Sequence, residues 1–197
     1  MWTKTRKALM ERTADCVKNR VRYNFEVYTT TKLCHWREMP VFYLYVDNEL
    51  WFASNPHYFC AEHHYINENV DRSLPRDEYW KTYSQASYAT VDYASSLGLM
   101  DVDQMMGLIH KYLNVFSIAE CLHSSNYILR MLAVLDRRIG KRTVKQLVEG
   151  IRDGPEWIRK YILLRAEGEG IQCLQSENFQ KHCEGIQEKM KIAKDQL

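Results

Sequence analysis

The chain has 197 residues, 46% of them apolar and 26% charged, with four Pro, eight Gly and a formal net charge of +2. Those values fit an ordinary globular protein and exclude collagen-like, low-complexity and largely disordered chains. No apolar run approaches the roughly 18–20 residues of a membrane helix, and the first 22 residues carry seven Lys/Arg with no apolar stretch behind them, so neither a membrane span nor a secretory leader is expected.

Residues 3–17 read as one helix, with Trp2, Leu9 and Cys16 at seven-residue spacing, Lys4, Arg6, Lys7 and Arg12 on the other faces, and Asn19 as the stop. Residues 21–28 alternate: Val21, Tyr23, Phe25 and Val27 against Arg22, Asn24 and Glu26. Such a strand has one wet face, as in an antiparallel sheet covered on one side. A loop opens at 29–32. After Pro40 the run Val41–Val46 is β-branched and aromatic, Asp47-Asn48 is turn chemistry, and 50–53 forms a third strand. The result is a three-stranded antiparallel meander over 20–54, and three strands form one layer that helices must cover.

Beyond residue 55 the signals are helical. Asn55 before Pro56 is an N-cap followed by proline at the first helical position, and Ser73 with Pro75 marks another start. Tyr79, Tyr83, Ala86, Thr90, Ala94 and Leu97 follow helical spacing, and Gly98 closes that helix. Asp101 caps a helix through Leu113 with Val102, Met105, Met106 and Ile109 facing inward, and Ser117 and Glu120 stand at capping-box spacing. Ser124 or Ser125 opens the most apolar helix (Ile128, Leu129, Leu132, Leu135), which Gly140 ends; Val144, Leu147 and Val148 mark the next. Asp153 and Pro155 open another, with Trp157, Ile158, Tyr161 and Ile162 on one side and Arg159 and Lys160 on the other. Residues 168–172 read as a break. The expected architecture is α+β: a single unit over 1–171, built of a helix plus β-meander (1–54) and a bundle of short helices (55–171). A polar tail, helical or mobile, follows over 172–197.

Charge is unevenly placed. Residues 1–22 carry a net +5, 23–125 carry −7, 126–165 carry +6 and 166–197 carry −2. Pairing between opposite faces is the plain explanation; a basic surface for an anionic partner is the sharper one. The six cysteines (16, 34, 60, 121, 173, 183) are widely spaced and contain no Cys-x-x-Cys, so free thiols in a reducing cytoplasm are expected.

Few residues are arranged for chemistry. His57, Cys60 and His64 fall at i, i+3 and i+7, one face of a helix, and are zinc-ligand types. A fourth donor would have to come from Cys34, His35 or a carboxylate, and the His-Glu-x-x-His order of zinc proteases is missing. A partly buried helix with a core cysteine and surface histidines is the favoured reading, and no cofactor is expected. Cys34-His35 and Cys121 with His123 are too close in sequence for thiol and imidazole to face each other on regular structure. Gly168-Glu169-Gly170 lacks the strand and helix that flank a phosphate loop, and no Gly-x-Ser-x-Gly elbow occurs. The pairs Asp77/Glu78 and Asp101/Asp103 sit at helix starts, where the macrodipole accounts for them.

The segment around Gly140 differs. Asp136, Arg137, Arg138, Lys141 and Arg142 crowd a break between two helices, with Arg130 about two turns earlier on nearly the same face. Asp136 with Arg137 is the expected structural ion pair. Arg130, Arg138, Lys141, Arg142 and Lys145 then remain as candidate contacts for a protein or another anionic partner. Aromatic residues do not interleave with them, so nucleic acid is not the favoured partner.

Residues 125–142, ending in Asp136-Arg137-Arg138 and Gly140-Lys141-Arg142, resemble a segment of a family of small bacterial proteins of about this length. The opening Trp2-Thr3-Lys4, the block Pro155-Glu156-Trp157-Ile158 and residues 164–171 resemble the same family. The resemblance implies a bacterial cytosolic protein, continuous through residue 171, in a family with no established activity; residues 57–64 do not belong to it. The reading that follows is a non-catalytic interaction or regulatory module using a basic helical surface. The alternatives are a metal- or thiol-dependent enzyme centred on His57, Cys60 and His64, and a binder of nucleic-acid backbone.

Overall fold

Trp2–Arg12 forms helix α1 in a computed structural model that describes residues 2–26, 40–55 and 57–171. The helix does not run on to residue 17. Thr13 and Ala14 leave it to pair with a distant segment: Ala14 N–H donates to Leu135 O at 2.8 Å, Arg137 N–H donates to Arg12 O at 2.7 Å, and an isolated antiparallel bridge joins Thr13 to Asp136. Tertiary pairing here overrides local helix preference. A single turn, α2 (Asp15–Lys18), follows.

The meander forms as expected. Strands β1 (Val21–Glu26), β2 (Val41–Val46) and β3 (Glu49–Ala53) are antiparallel in the order β1-β2-β3. Asp47 and Asn48 turn the β2–β3 hairpin with φ of 51° and 68°, the left-handed pair that matches strand twist in two-residue loops. Val21, Tyr23, Phe42, Leu44, Val46 and Phe52 are buried on one face. Trp2 of α1 lies on that face, 4.5 Å from Phe25 and edge-on to Phe42 at 6.0 Å between ring centroids. The first helix therefore covers the sheet.

The helical part comprises α3 (His57–Asn69), α4 (Arg76–Ser96), α5 (Val102–Asn114), α6 (Ile118–Leu122), α7 (Tyr127–Val134), α8 (Lys141–Glu149), a 3-10 turn (Ile151–Asp153) and α9 (Glu156–Gly168). Most caps match the expectation. His57 N–H donates to Asn55 Oδ1 at 3.0 Å, Asp101 accepts from the N–H groups of Asp103 and Gln104, and Ser117 with Glu120 forms a full capping box. Three boundaries differ. Asn126 caps α7, because Ser124 accepts from the Asn126 N–H and Ser125 is bonded to Asp92. Ser73 bonds Asp71 rather than capping α4, which starts after Pro75. And α7 ends at Val134, not at Gly140, since residues 135–139 wrap around Asp136; Gly140 precedes α8 instead.

The main core joins the sheet to α1, α5, α7 and α9, with smaller clusters between α3 and α4 (Ile66, Val70, Ala86) and under α8 (Ile139, Val144, Ala166). An aromatic line runs from sheet to α9: Trp51 to Tyr161 at 5.4 Å, Tyr161 to Trp157 at 6.0 Å, Trp157 to Phe52 at 6.1 Å. Lys160, expected on the wet side of α9, turns inward: its Nζ donates to Trp51 O at 2.7 Å and lies over the Trp51 and Tyr161 rings. Cys16, Cys60 and Cys121 are free thiols, and no helix among the described residues is long and apolar enough to cross a membrane. Val27, the loop at 29–32, Cys34, His35, Pro56, Cys173, Cys183 and the tail at 172–197 lie outside the described residues.

Two glycines test the packing. A Cβ on Gly168 would lie 3.0 Å from Cys16 O and 3.0 Å from Val17 Cγ1, whereas one on Gly107, within α5, would meet nothing within 4 Å. Gly168→Ala is expected to destabilise by about 1–3 kcal/mol through overpacking. Gly107→Ala is expected to stabilise by about 0.5–1 kcal/mol through helix propensity. Urea unfolding of both variants checks the pair.

Candidate functional site at the basic junction

Asp136 is fully buried. A carboxylate in such a place must have its lone pairs matched. Its Oδ2 accepts from the Tyr112 hydroxyl at 2.6 Å and from Arg138 Nη2 and Nε at 2.7 and 3.0 Å; its Oδ1 accepts from the Arg138 N–H at 2.8 Å. The arginine partner is therefore Arg138, not the expected Arg137. A tight turn explains it: Ile139 N–H donates to Asp136 O at 3.3 Å, residues 137 and 138 form the turn, and the Arg138 N–H bonded to Asp136 Oδ1 brings the Arg138 side chain back onto the same carboxylate. The Arg137 side chain is exposed.

The surrounding groups brace this pair. Two guanidinium groups lie over the Tyr112 ring, with Arg12 Cζ at 5.6 Å and Arg138 Cζ at 5.7 Å from its centroid. Arg12 Nη2 donates to Leu113 O at 2.7 Å, and the Thr13 and Tyr23 hydroxyls share a hydrogen bond at 3.3 Å. Burial, reinforced by the Asp136 charge, pushes the Tyr112 phenol well above the usual tyrosine range; burial pushes Tyr23 up to about 12. The hydrogen bonds to Asp136 raise Arg138 further. Burial also raises the Cys121 thiol, which keeps it protonated and unreactive, while His123 is exposed at the end of α6.

The candidate contacts thus divide. Arg130 donates through Nε to Ser124 O and lies 4.7 Å over the Tyr127 ring, so it shares Arg138's structural employment. Lys141, Arg142 and Lys145 are exposed and form no ion pair with any described residue. At 3.6 residues per turn they share an arc of roughly 100° on α8, while Val144, Leu147 and Val148 pack inward. Gly140 offers no side-chain cap, and the first turn of α8 holds no acid. Cations at a helix N-terminus oppose the macrodipole, so local helix energetics do not account for Lys141 and Arg142.

A match to the SF0329 protein family covers residues 1–166 and includes the whole of this junction. The chain belongs to that family. It is a family without an established activity. No curated protein and no solved structure matches the chain. In this SF0329 family member the other candidates remain apart. His57, Cys60 and His64 are all exposed on α3, so Cys60 is not the core cysteine expected; His64 Nε2 lies 3.3 Å from Glu68 Oε1, and no three His, Cys, Asp or Glu side chains converge among the described residues. Asp101 caps α5, and Asp77 and Glu78 occupy the first turn of α4.

Sequence reasoning missed Tyr112 and Arg12. The available signal was Tyr112 on the inward stripe of α5 with Met105 and Ile109, since a buried phenol needs a hydrogen-bond partner.

Asp136→Asn removes the charge that receives the buried Tyr112 hydroxyl and the part-exposed Arg138 guanidinium and is expected to cost about 1.5–3 kcal/mol, whereas Arg137→Ala is expected to stay within about 0.5 kcal/mol; urea melts measure both. Tyr23 adds a pH dependence. Its folded pKa of about 12 exceeds the ordinary value near 10, so its contribution is complete below pH 10 and is lost as pH rises towards 12. Unfolding midpoints should fall between pH 9 and pH 11, with phenolate absorbance incomplete in the folded protein at pH 11.

Proposed function

We propose that this SF0329 family member is a non-catalytic interaction module of the bacterial cytoplasm that docks an acidic protein surface on α8. The observation that carries this reading is the stripe of Lys141, Arg142 and Lys145, exposed and unpaired with any described residue on a helix whose opposite face is packed. Arg137 is exposed beside it. Three neighbouring cations with no internal task supply steering and register for an anionic partner. α8 contains no aromatic residue, so the stacking platform of single-strand binders is absent from that face, and an acidic protein is favoured over nucleic acid. Free thiols at Cys16, Cys60 and Cys121 accord with a reducing compartment.

The test compares wild type with the triple variant Lys141→Glu, Arg142→Glu, Lys145→Glu. Fluorescence anisotropy at low salt would follow binding of a labelled Asp/Glu-rich peptide and of a DNA duplex. The peptide should bind wild type and weaken at least about tenfold in the variant, while the variant melts no lower than wild type, because these side chains make no internal ion pair and Glu at the start of α8 suits the macrodipole. Equal peptide binding by the two proteins, or none by wild type, sinks the proposal. Tighter, more salt-sensitive binding of DNA transfers the surface to nucleic acid.

A further inference from the structure

A concavity lies far from α8 in sequence. Helices α3 and α4 form an antiparallel hairpin with its own small buried cluster, and between them runs a cleft of about 290 Å³. That is near the lower end of the range for small-molecule sites, roughly 300–1,000 Å³. Its walls are Phe59, Ile66, Val70, Tyr79 and Tyr83. The Tyr79 and Tyr83 rings lie 6.0 Å apart at 37°, and Trp80 backs them edge-on at 5.2 and 5.6 Å. Phe59 is 48% exposed and Trp80 54%. This is an aromatic slot that a flat apolar group would fill.

The slot has one organised cationic rim. Arg72 lines it, and its Nη2 donates to Asn67 Oδ1. Asn67 is held in turn, with Nδ2 3.0 Å from His63 Nδ1. Arg72 forms no ion pair with any described residue. The adjacent carboxylate, Asp71, is turned away to the Ser73 N–H and hydroxyl, both at 2.8 Å. A guanidinium carries five donors in a planar fork, and one anchored by Asn67 keeps others for a ligand. Glu62 lines the same cleft and accepts from the Ser87 hydroxyl at 3.2 Å. It precedes Asn67 by five residues on α3, about 7.5 Å of helix rise, so its charge stands at the end away from Arg72 and repels a second anionic group there.

We propose that the α3–α4 cleft binds a small organic monoanion with a flat apolar body, a carboxylate seated on Arg72 and the body laid along the Tyr79–Tyr83 wall towards Phe59. The site is independent of docking at α8.

NMR titration with 3-phenylpropionate and with 3-phenylpropanol, which keeps the body and lacks the charge, tests it. The acid should bind saturably and shift the amides of α3 and α4. Arg72→Gln should weaken it at least about tenfold, and the alcohol should bind at least about tenfold more weakly than the acid to wild type. Arg72 is exposed, so the variant should fold normally, which its unligated spectrum reports. Absence of saturable binding up to millimolar acid, equal affinity for the alcohol, or equal affinity of Arg72→Gln for the acid overturns the proposal. Phe59→Ala provides a second check. It removes a half-exposed ring and should weaken the acid without moving the melting temperature; unchanged affinity contradicts the assignment of the slot.

Discussion

A carboxylate shut away from water couples the two halves of this molecule. Burying an ionised group costs several kcal/mol unless its oxygens are fully matched, and Asp136 finds its donors on Tyr112 of α5 and on the side chain and N–H of Arg138. Its backbone is tied to Thr13, between α1 and α2. Those groups assemble only when the first helix lies on the sheet, α5 is docked, and the chain after α7 has turned back. The early stop of α1 and the end of α7 at Val134 are two consequences of one constraint: both helices yield residues to the bridge that frames Asp136. Tyr23 carries it into the sheet through its contact with Thr13.

Other cations of the basic segments act as further joints. Arg20 binds Asp47 at 2.7 Å and Glu167 at 2.9 Å, tying the β2–β3 turn to α9, and its hydrogen bonds hold the Asp47 carboxyl below the usual range. Arg165, only 3% exposed along its side chain, meets Glu169 at 2.9 Å and donates to Ile139 O. Lys160 caps the aromatic line between sheet and α9. Set beside Arg12, Arg130 and Arg138, these contacts place much of the positive charge of residues 1–22 and 126–165 inside the architecture. The contrast gives Lys141, Arg142 and Lys145 their meaning: they are exposed where comparable residues nearby have been drawn into joints.

What was legible in the sequence was local. Alternation in Val21, Tyr23 and Phe25 announced a strand because its period is written in consecutive residues. Asp101, Asn55 and the Ser117–Glu120 box announced helix starts because a cap and its N–H groups lie within three residues. Most misplaced features depended on partners far along the chain. Nothing near Thr13 shows that residues 135–137 will compete for its backbone, and the aromatic floor under Lys160 includes Trp51; the choice of Arg138 over Arg137 is local, but it rests on a turn at 137–138 that a helical reading through Gly140 hides. At the candidate site the cluster from 130 to 145 was readable as basic, but not which members are tied inside. The α3–α4 cleft was invisible because Phe59 and Tyr79 belong to different helices, each of which reads as an ordinary amphipathic face.

The hairpin that holds this cleft enters the main core through Tyr58 and Ala61 of α3 and Ala94 of α4, while its outer half has a separate cluster. Among the larger element contacts of the described residues, α3 packs on α4 and α4 packs on α7, with Asp92 and Ser95 of α4 hydrogen-bonded to Asn126 and Tyr127. Its own buried cluster is small, Ile66, Val70 and Ala86, whereas Asp136 and the sheet lie in the main core. Regions with few buried contacts open at lower free energy than the core does, and a ligand that binds only the closed form stabilises that form in proportion to its occupancy. An anion laid along the Tyr79–Tyr83 wall would therefore protect amides of α3 and the first half of α4 from hydrogen exchange while leaving α5 and α7 unchanged. The same separation lets the hairpin change its outer face without disturbing the buried carboxylate on which the rest of the fold is built.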